Sequence, residues 1–161
     1  MEAPKKSDRI RKGVVCLNLM NVFTPKSEVI CLSDTYTLRQ VMEKMEQQRY
    51  MGLPMLDAES HYVGTVTEGD LLWYCKSHNF SSLRDAERVS IREIPLHVHT
   101  APVSVNTPTD TLIDALLHSN FVPVEDDRGC FIGIVTRKKL ISAVLSEHGI
   151  SDTSSDPLSK L

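Results

Sequence analysis

The chain has 161 residues, of which 41% are hydrophobic and 24% charged, and this excludes a fully disordered or fibrous protein. The net charge of −3 argues against a broad phosphate-neutralising surface, and so against nucleic acid as a partner. No apolar run reaches the ~18 residues a bilayer crossing needs, so no membrane partner is expected.

Basic residues Lys5, Lys6, Arg9, Arg11 and Lys12 precede an apolar stretch from Val14 to Phe23. Asn18 and Asn21 interrupt it and no A-x-A site follows, which argues against a signal peptide. Residues 1–16 are thus read as an N-terminal extension. Four cysteines, Cys16, Cys31, Cys75 and Cys130, form no C-x-x-C pair. Reduced, mostly buried thiols in a cytoplasmic protein are expected. The final Ser159-Lys160-Leu161 is a peroxisomal address if the source is eukaryotic.

From residue 17 the chain reads as one unit written twice. Val29-Ile30-Cys31-Leu32 is a short apolar strand, with Ser33, Asp34 and Thr35 as helix N-cap candidates. Leu38, Val41, Met42 and Met45 then fall on one helical face. Gly52 to Leu56 and Tyr62 to Thr67 read as strands around the turn Asp57-Ala58-Glu59-Ser60. A helix from about Glu68 to His78 carries Leu71, Leu72 and Trp73. Asn79 to Glu87 is a polar connector.

The second copy returns these signals in order. Val103 to Val105 is a strand, and Thr109 to His118 a helix with Leu112, Ala115 and Leu116 on one face. Phe121 to Val124 and Phe131 to Thr136 are strands around Asp126-Asp127-Arg128-Gly129. The last helix uses Leu140, Ile141, Val144 and Leu145. Val29 to Leu32, Thr37 and Leu38 return as Val103 to Asn106, Thr111 and Leu112 at one offset. Pro54, Asp57, Gly64, Val66, Thr67 and Leu71 return as Pro123, Asp126, Gly133, Val135, Thr136 and Leu140 at a second offset.

The reading is an α/β (α+β) protein of two pseudo-symmetric repeats, each strand–helix–strand–strand–helix. The first repeat covers residues 17–78, a linker 79–87, the second repeat 88–148 and a tail 149–161. Two such units, each marginal alone, bury their faces together and leave a ligand cleft at the seam. The helices from Glu68 and Arg137 carry more apolar surface, Trp73 included, than two copies can hide, which predicts a homodimer.

Several residues at the strand–helix junctions carry chemistry. Gly64 and Gly69 have the spacing of a phosphate-binding loop, but Asp70 and Leu71 follow where Lys and Ser/Thr are required. Asp70 suits either the hydroxyls of a ribose or the start of a helix. Thr67 and Thr136 can cradle an anion or simply cap helices. Lys139 stands where the first copy has Asp70 and cannot accept a hydrogen bond. Arg137, Lys138 and Lys139 gather positive charge at a helix start, where the macrodipole disfavours it. Arg137 is therefore a candidate for ligand phosphate, the alternative being a solvated basic patch. His97, His99 and His118 have no third ligand at recognisable spacing, so no metal is expected.

Thr24-Pro25, Val29, Thr37-Leu38, Leu53 to Asp57 and Gly64 to Leu71, with Phe121 to Asp126 and Gly133 to Leu140, resemble a CBS domain, present twice over residues 17–148. The tandem pair is called a Bateman module, here similar to stand-alone members. The resemblance implies a sensor of adenine nucleotides of the AMP/ADP/ATP class that regulates a protein partner, with homodimers through the helix faces and no enzyme activity or cofactor. It implies nucleotide contacts at Val29, Ile30, Tyr50, Met51, Gly52, Pro54, Thr67 and Asp70 in the first copy. In the second it implies Asn120, Phe121, Val122, Pro123, Thr136 and Arg137. Backbone groups at Val29-Ile30 and the strand entries would read adenine, Tyr50 and Phe121 could stack on it, and Asp70 would take the ribose. The second copy also resembles receptors of cyclic di-AMP. A nucleotide-free interaction module and a small hydrolase with a dispersed site are the rival readings.

Overall fold

The structure is a computed structural model that describes residues 19–147. A short helix α1 (Leu19–Val22) leads into strand β1 (Phe23–Pro25) and a 3-10 turn, Lys26–Glu28. The first copy continues as β2 (Leu32–Ser33), α2 (Leu38–Gln48), β3 (Gly52–Leu56), β4 (Tyr62–Thr67) and α3 (Glu68–Ser77). The connector holds α4 (Leu83–Ala86), and a second 3-10 turn, Ile91–Glu93, lies just beyond it at the start of the second repeat. The second copy follows as β5 (Val103–Ser104), α5 (Thr109–His118), β6 (Phe121–Glu125), β7 (Phe131–Thr136) and α6 (Arg137–Glu147).

The start of the first copy departs from the sequence reading. Of the strand read over Val29 to Leu32 only Leu32 pairs with a neighbour, and Ser33, read as a cap candidate, is the second residue of β2; a 3-10 turn that ends with Val29 N–H on the Lys26 carbonyl precedes them. The cap of α2 is Thr37, not Ser33, Asp34 or Thr35. Thr37 Oγ1 accepts from the Gln40 amide while the Gln40 side chain accepts from the Thr37 amide, a capping box that satisfies two orphan donors. Ser33 to Tyr36 instead form a turn closed by Tyr36 N–H on the Ser33 carbonyl.

The strands build two sheets, β2-β3-β4 and β1-β7-β6-β5. In each, a parallel two-residue pair (β2·β3 or β5·β6) adjoins an antiparallel hairpin (β3·β4 or β6·β7). The second sheet has a fourth strand taken from the first copy: β1 lies antiparallel to β7, with Thr24 opposite Ile134. The first sheet has the reciprocal contact, an antiparallel bridge between Thr65 of β4 and Val98. The two copies therefore exchange their leading segments.

Burial follows the exchange. One core joins Leu32, Leu38, Val41, Met45, Leu53, Met55, Val66 and Leu71 to Ala86 of the connector and to Ile91 and Ile94 at the start of the second repeat. The other joins Leu112, Leu116, Val122, Val124, Val135 and Leu140 to Leu19 and Val22 of the N-terminal arm. The packed bodies thus cut across the sequence boundaries of the repeats. Two equivalent glycines make room for the crossing segments. A Cβ on Gly64 would stand 2.6 Å from Leu96 Cδ1, and one on Gly133 would stand 2.2 Å from the Thr24 carbonyl oxygen.

Candidate functional site

The folded hairpins bring the predicted residues of each copy to one end of its sheet. In the first copy Gly52 is paired with Thr67, and the Glu68 amide donates to the Met51 carbonyl. In the second, Phe121 is paired with Thr136 and the Arg137 amide donates to the Asn120 carbonyl at 2.8 Å. Because Leu32 runs parallel to Met55, the residues before it, Val29 and Ile30 included, head toward the Gly52 end. Tyr50, Met51 and Asn120 are exposed, Val29, Ile30, Gly52, Thr67, Phe121, Thr136 and Arg137 half-buried, and Pro54, Val122 and Pro123 buried.

Asp70 is 2% exposed and has no free acceptor. Its Oδ2 accepts from the Thr67 amide at 2.9 Å and the Thr67 hydroxyl at 2.7 Å. Its Oδ1 accepts from the His97 amide at 3.1 Å and lies 2.7 Å from His97 Nδ1. Thr67 Oγ1 in turn accepts from the Asp70 amide, completing the cap of α3. Burial pushes the carboxyl up, but the hydrogen bonds from Thr67 and His97 outweigh it and hold it below the usual carboxylate range. The carboxylate expected to take a ribose is, in this structure, occupied by the chain itself.

The second copy is built differently at the same place. Lys139 donates its backbone amide to Thr136 Oγ1 and stretches its Nζ to the Phe23 carbonyl at 3.3 Å. Arg137 turns to the C-terminal end of α5. Its Nε donates to the Leu116 carbonyl at 2.7 Å, and a terminal nitrogen donates to the carbonyls of Ser119 at 3.0 Å and Leu117 at 3.3 Å. A cation on these orphan carbonyls is favoured by the helix dipole, so Arg137 holds the α5–β6 turn with those donors.

The second copy carries a cleft of about 410 Å3. Its walls are the run His99 to Ser104 with Thr107, and the face of α5 carrying Thr111, Ala115 and His118, closed by Ser119. It lies within the second copy and not at the seam expected between copies. His99 and His118, which have no evident role in the sequence, both line it. The buried Thr100 Oγ1 is 2.8 Å from Ser119 Oγ, which ties one wall to the other. No carboxylate is among the lining residues. The sequence reading missed this wall because an irregular segment before a two-residue strand has no periodicity.

The remaining candidates are unremarkable or elsewhere. Cys31, Cys75 and Cys130 are half-buried free thiols, and burial pushes the first two up. Cys16, the N-terminal basic residues and Ser159-Lys160-Leu161 lie outside the described residues. No helix among the described residues is long and apolar enough to cross a membrane. Leu72, Trp73 and Ile141 are 60%, 56% and 50% exposed on α3 and α6.

The CBS domain family model matches residues 21–77 and 91–146. The crystal structure of a CBS domain protein from Streptococcus pneumoniae TIGR4 is similar at a TM-score of 0.74 and 26% identity, over 81% of this chain and 88% of that one. The CbpB protein of Listeria monocytogenes in complex with c-di-AMP is similar at 0.71 and 16% identity, over 83% of this chain and 98% of that one. CBSX2 in complex with AMP is similar at 0.58 and 21% identity, over 79% of this chain and 95% of that one. The latter two share the fold with this chain. With two copies matched in tandem and most of the chain covered, the protein belongs to the CBS domain family and is built as a Bateman module.

Proposed function

We propose that the chain is a regulatory module that binds an adenine nucleotide in the cleft of its second copy and signals occupancy to a protein partner. The observation that carries this reading is the cleft itself. Its volume of about 410 Å3 falls in the range of small-ligand sites. Its lining mixes the hydroxyls of Thr100, Ser104, Thr107, Thr111 and Ser119 with the imidazoles of His99 and His118 and the apolar Ala101, Pro102, Val103 and Ala115. Such a wall can pack a base and meet sugar or phosphate oxygens, and no lining carboxylate repels an anion. Asn120, Phe121, Thr136 and Arg137 adjoin it through Ser119 and the hairpin register. Two proteins of the same fold hold c-di-AMP and AMP, which supports a nucleotide as the ligand class.

The mechanism is linkage. A ligand that binds one arrangement of the two copies more tightly shifts the module toward it and changes the surface offered to the partner. In this reading the chain binds without turnover and forms a homodimer through α3 and α6. A cyclic di-AMP receptor is the second reading, favoured by the likeness to the Listeria protein. Calorimetry with AMP, ADP, ATP and cyclic di-AMP tests both. Saturable binding of a mononucleotide supports the first, and selective binding of cyclic di-AMP the second. Heat from none of the four means a nucleotide-free interaction module and overturns both.

A further inference from the structure

The first copy differs from the second in one respect that bears on how many ligands the module can hold. Its helix-start carboxylate is used up. Asp70 is buried, and a carboxylate has about four acceptor positions. Thr67 takes two of them from within the same turn. His97 takes the other two, with its amide and its Nδ1. The Thr67 bonds belong to the cap of α3 and are local. The His97 bonds come from 27 residues away and belong to the exchanged segment.

That segment is held on both sides of His97. Leu96 lies over Gly64, where even a methyl group would collide with it, and Val98 bridges to Thr65. The ring itself is different. The His97 side chain is 72% exposed while the carboxylate it meets is 1% exposed. The imidazole therefore lies as an outer cover on a buried acceptor, held by one ring hydrogen bond and little packing.

We propose that His97 is a built-in competitor for Asp70 and keeps the first copy closed to ligands that need this carboxylate. The class excluded is that of ribose-containing nucleotides, whose vicinal hydroxyls are the donors a carboxylate accepts; this rests on the nucleotide reading above. The module then takes one mononucleotide per chain, in the second copy. Removing the ring opens Oδ1 to solvent while leaving the His97 amide and the Thr67 cap in place, and a second nucleotide can bind.

The test is the stoichiometry of AMP binding, by calorimetry, to wild type, His97→Ala and His97→Asn. Alanine removes the ring donor. Asparagine places an amide N–H near the position of Nδ1 and keeps the carboxylate covered. The expected result is one AMP per chain for wild type and His97→Asn, and two for His97→Ala. The added site should be lost in the double variant His97→Ala/Asp70→Asn. No AMP on wild type but one on His97→Ala also supports the cover, while it overturns the cleft as the binding site. Two AMP on wild type, or an unchanged count of one in a His97→Ala protein whose circular dichroism matches wild type, overturns the cover alone. No binding to any variant overturns both readings.

Discussion

Asp70 and Lys139 stand at equivalent helix starts with opposite charge, and each grips the segment contributed by the other copy. Asp70 accepts from the amide and ring of His97, whereas Lys139 donates to the carbonyl of Phe23. Phe23 is the first residue of the crossing strand β1, opposite Val135, and His97 directly precedes Val98, which bridges to Thr65. The lysine that stands in the second copy where the first has Asp70 is thus matched by a reversal of hydrogen-bond polarity on the same crossing.

The two grips should differ in worth. Asp70→Ala leaves the amides of Thr67 and His97 without their acceptor in a buried turn, and is expected to lower stability by about 1–3 kcal/mol. Lys139 is exposed and its bond is long, so Lys139→Ala is expected to stay within about 0.5 kcal/mol of wild type. Urea midpoints of the two variants check the order, and equal losses would contradict it.

The Asp70 carboxyl also sets a pH dependence. Its folded value is held below the ordinary 3.8, so the charged form is favoured by folding. Its contribution to stability is complete above 3.8 and is lost as the pH falls through the lowered folded value. Wild type should therefore lose stability more steeply than Asp70→Asn below that range, and the two curves should run parallel above pH 5. Asp57, Asp85 and Asp126 are held low as well but are common to both proteins, so the difference isolates Asp70. Urea midpoints between pH 3 and 7 give the comparison.

The two crossing glycines should respond unequally to a methyl group. At Gly133 an added Cβ meets the Thr24 carbonyl oxygen at 2.2 Å and the Phe23 ring at 2.6 Å, so backbone must move. At Gly64 it meets only the end of the Leu96 side chain at 2.6 Å, which can rotate away. Gly133→Ala should fall at the upper end of the ~1–3 kcal/mol typical of overpacking and Gly64→Ala at the lower end. Thermal unfolding of the purified variants orders them.

The exposed apolar side chains on α3 and α6 carry the proposed dimer. Trp73→Glu together with Ile141→Glu should convert a dimer of wild type into monomers, since a buried unpaired charge is costly. Sedimentation at micromolar concentration reads the change. A wild-type monomer would remove this part of the functional reading.

Local pattern made much of the fold readable. Hairpin strands such as Gly52–Leu56 and Tyr62–Thr67 follow their β-branched and apolar runs between turns, and α5 and α6 follow their helical periodicity. What local pattern could not reveal is nonlocal. Nothing in Phe23-Thr24-Pro25 says that it pairs with residues 133–135, because pairing register is a property of two distant segments. The same holds at the site. The duplication marks Asp70, but that His97 covers it depends on the exchange, and Arg137 is spent on α5 carbonyls that only the folded turn brings close.

The exchange also fixes when this protein can become itself. During synthesis β1 emerges early, yet its pairing partner β7 is made more than a hundred residues later, and Leu19 and Val22 wait equally long for their core. The first sheet and its core, by contrast, are complete once the chain reaches Val98. At that point the leading arm has no strand to pair with, and Phe23 and Val22 have no core to cover them. Such arms are where nascent chains meet chaperones, or the same arm of a neighbouring chain. It is the β6–β7 hairpin, made long after β1, that puts β1 away.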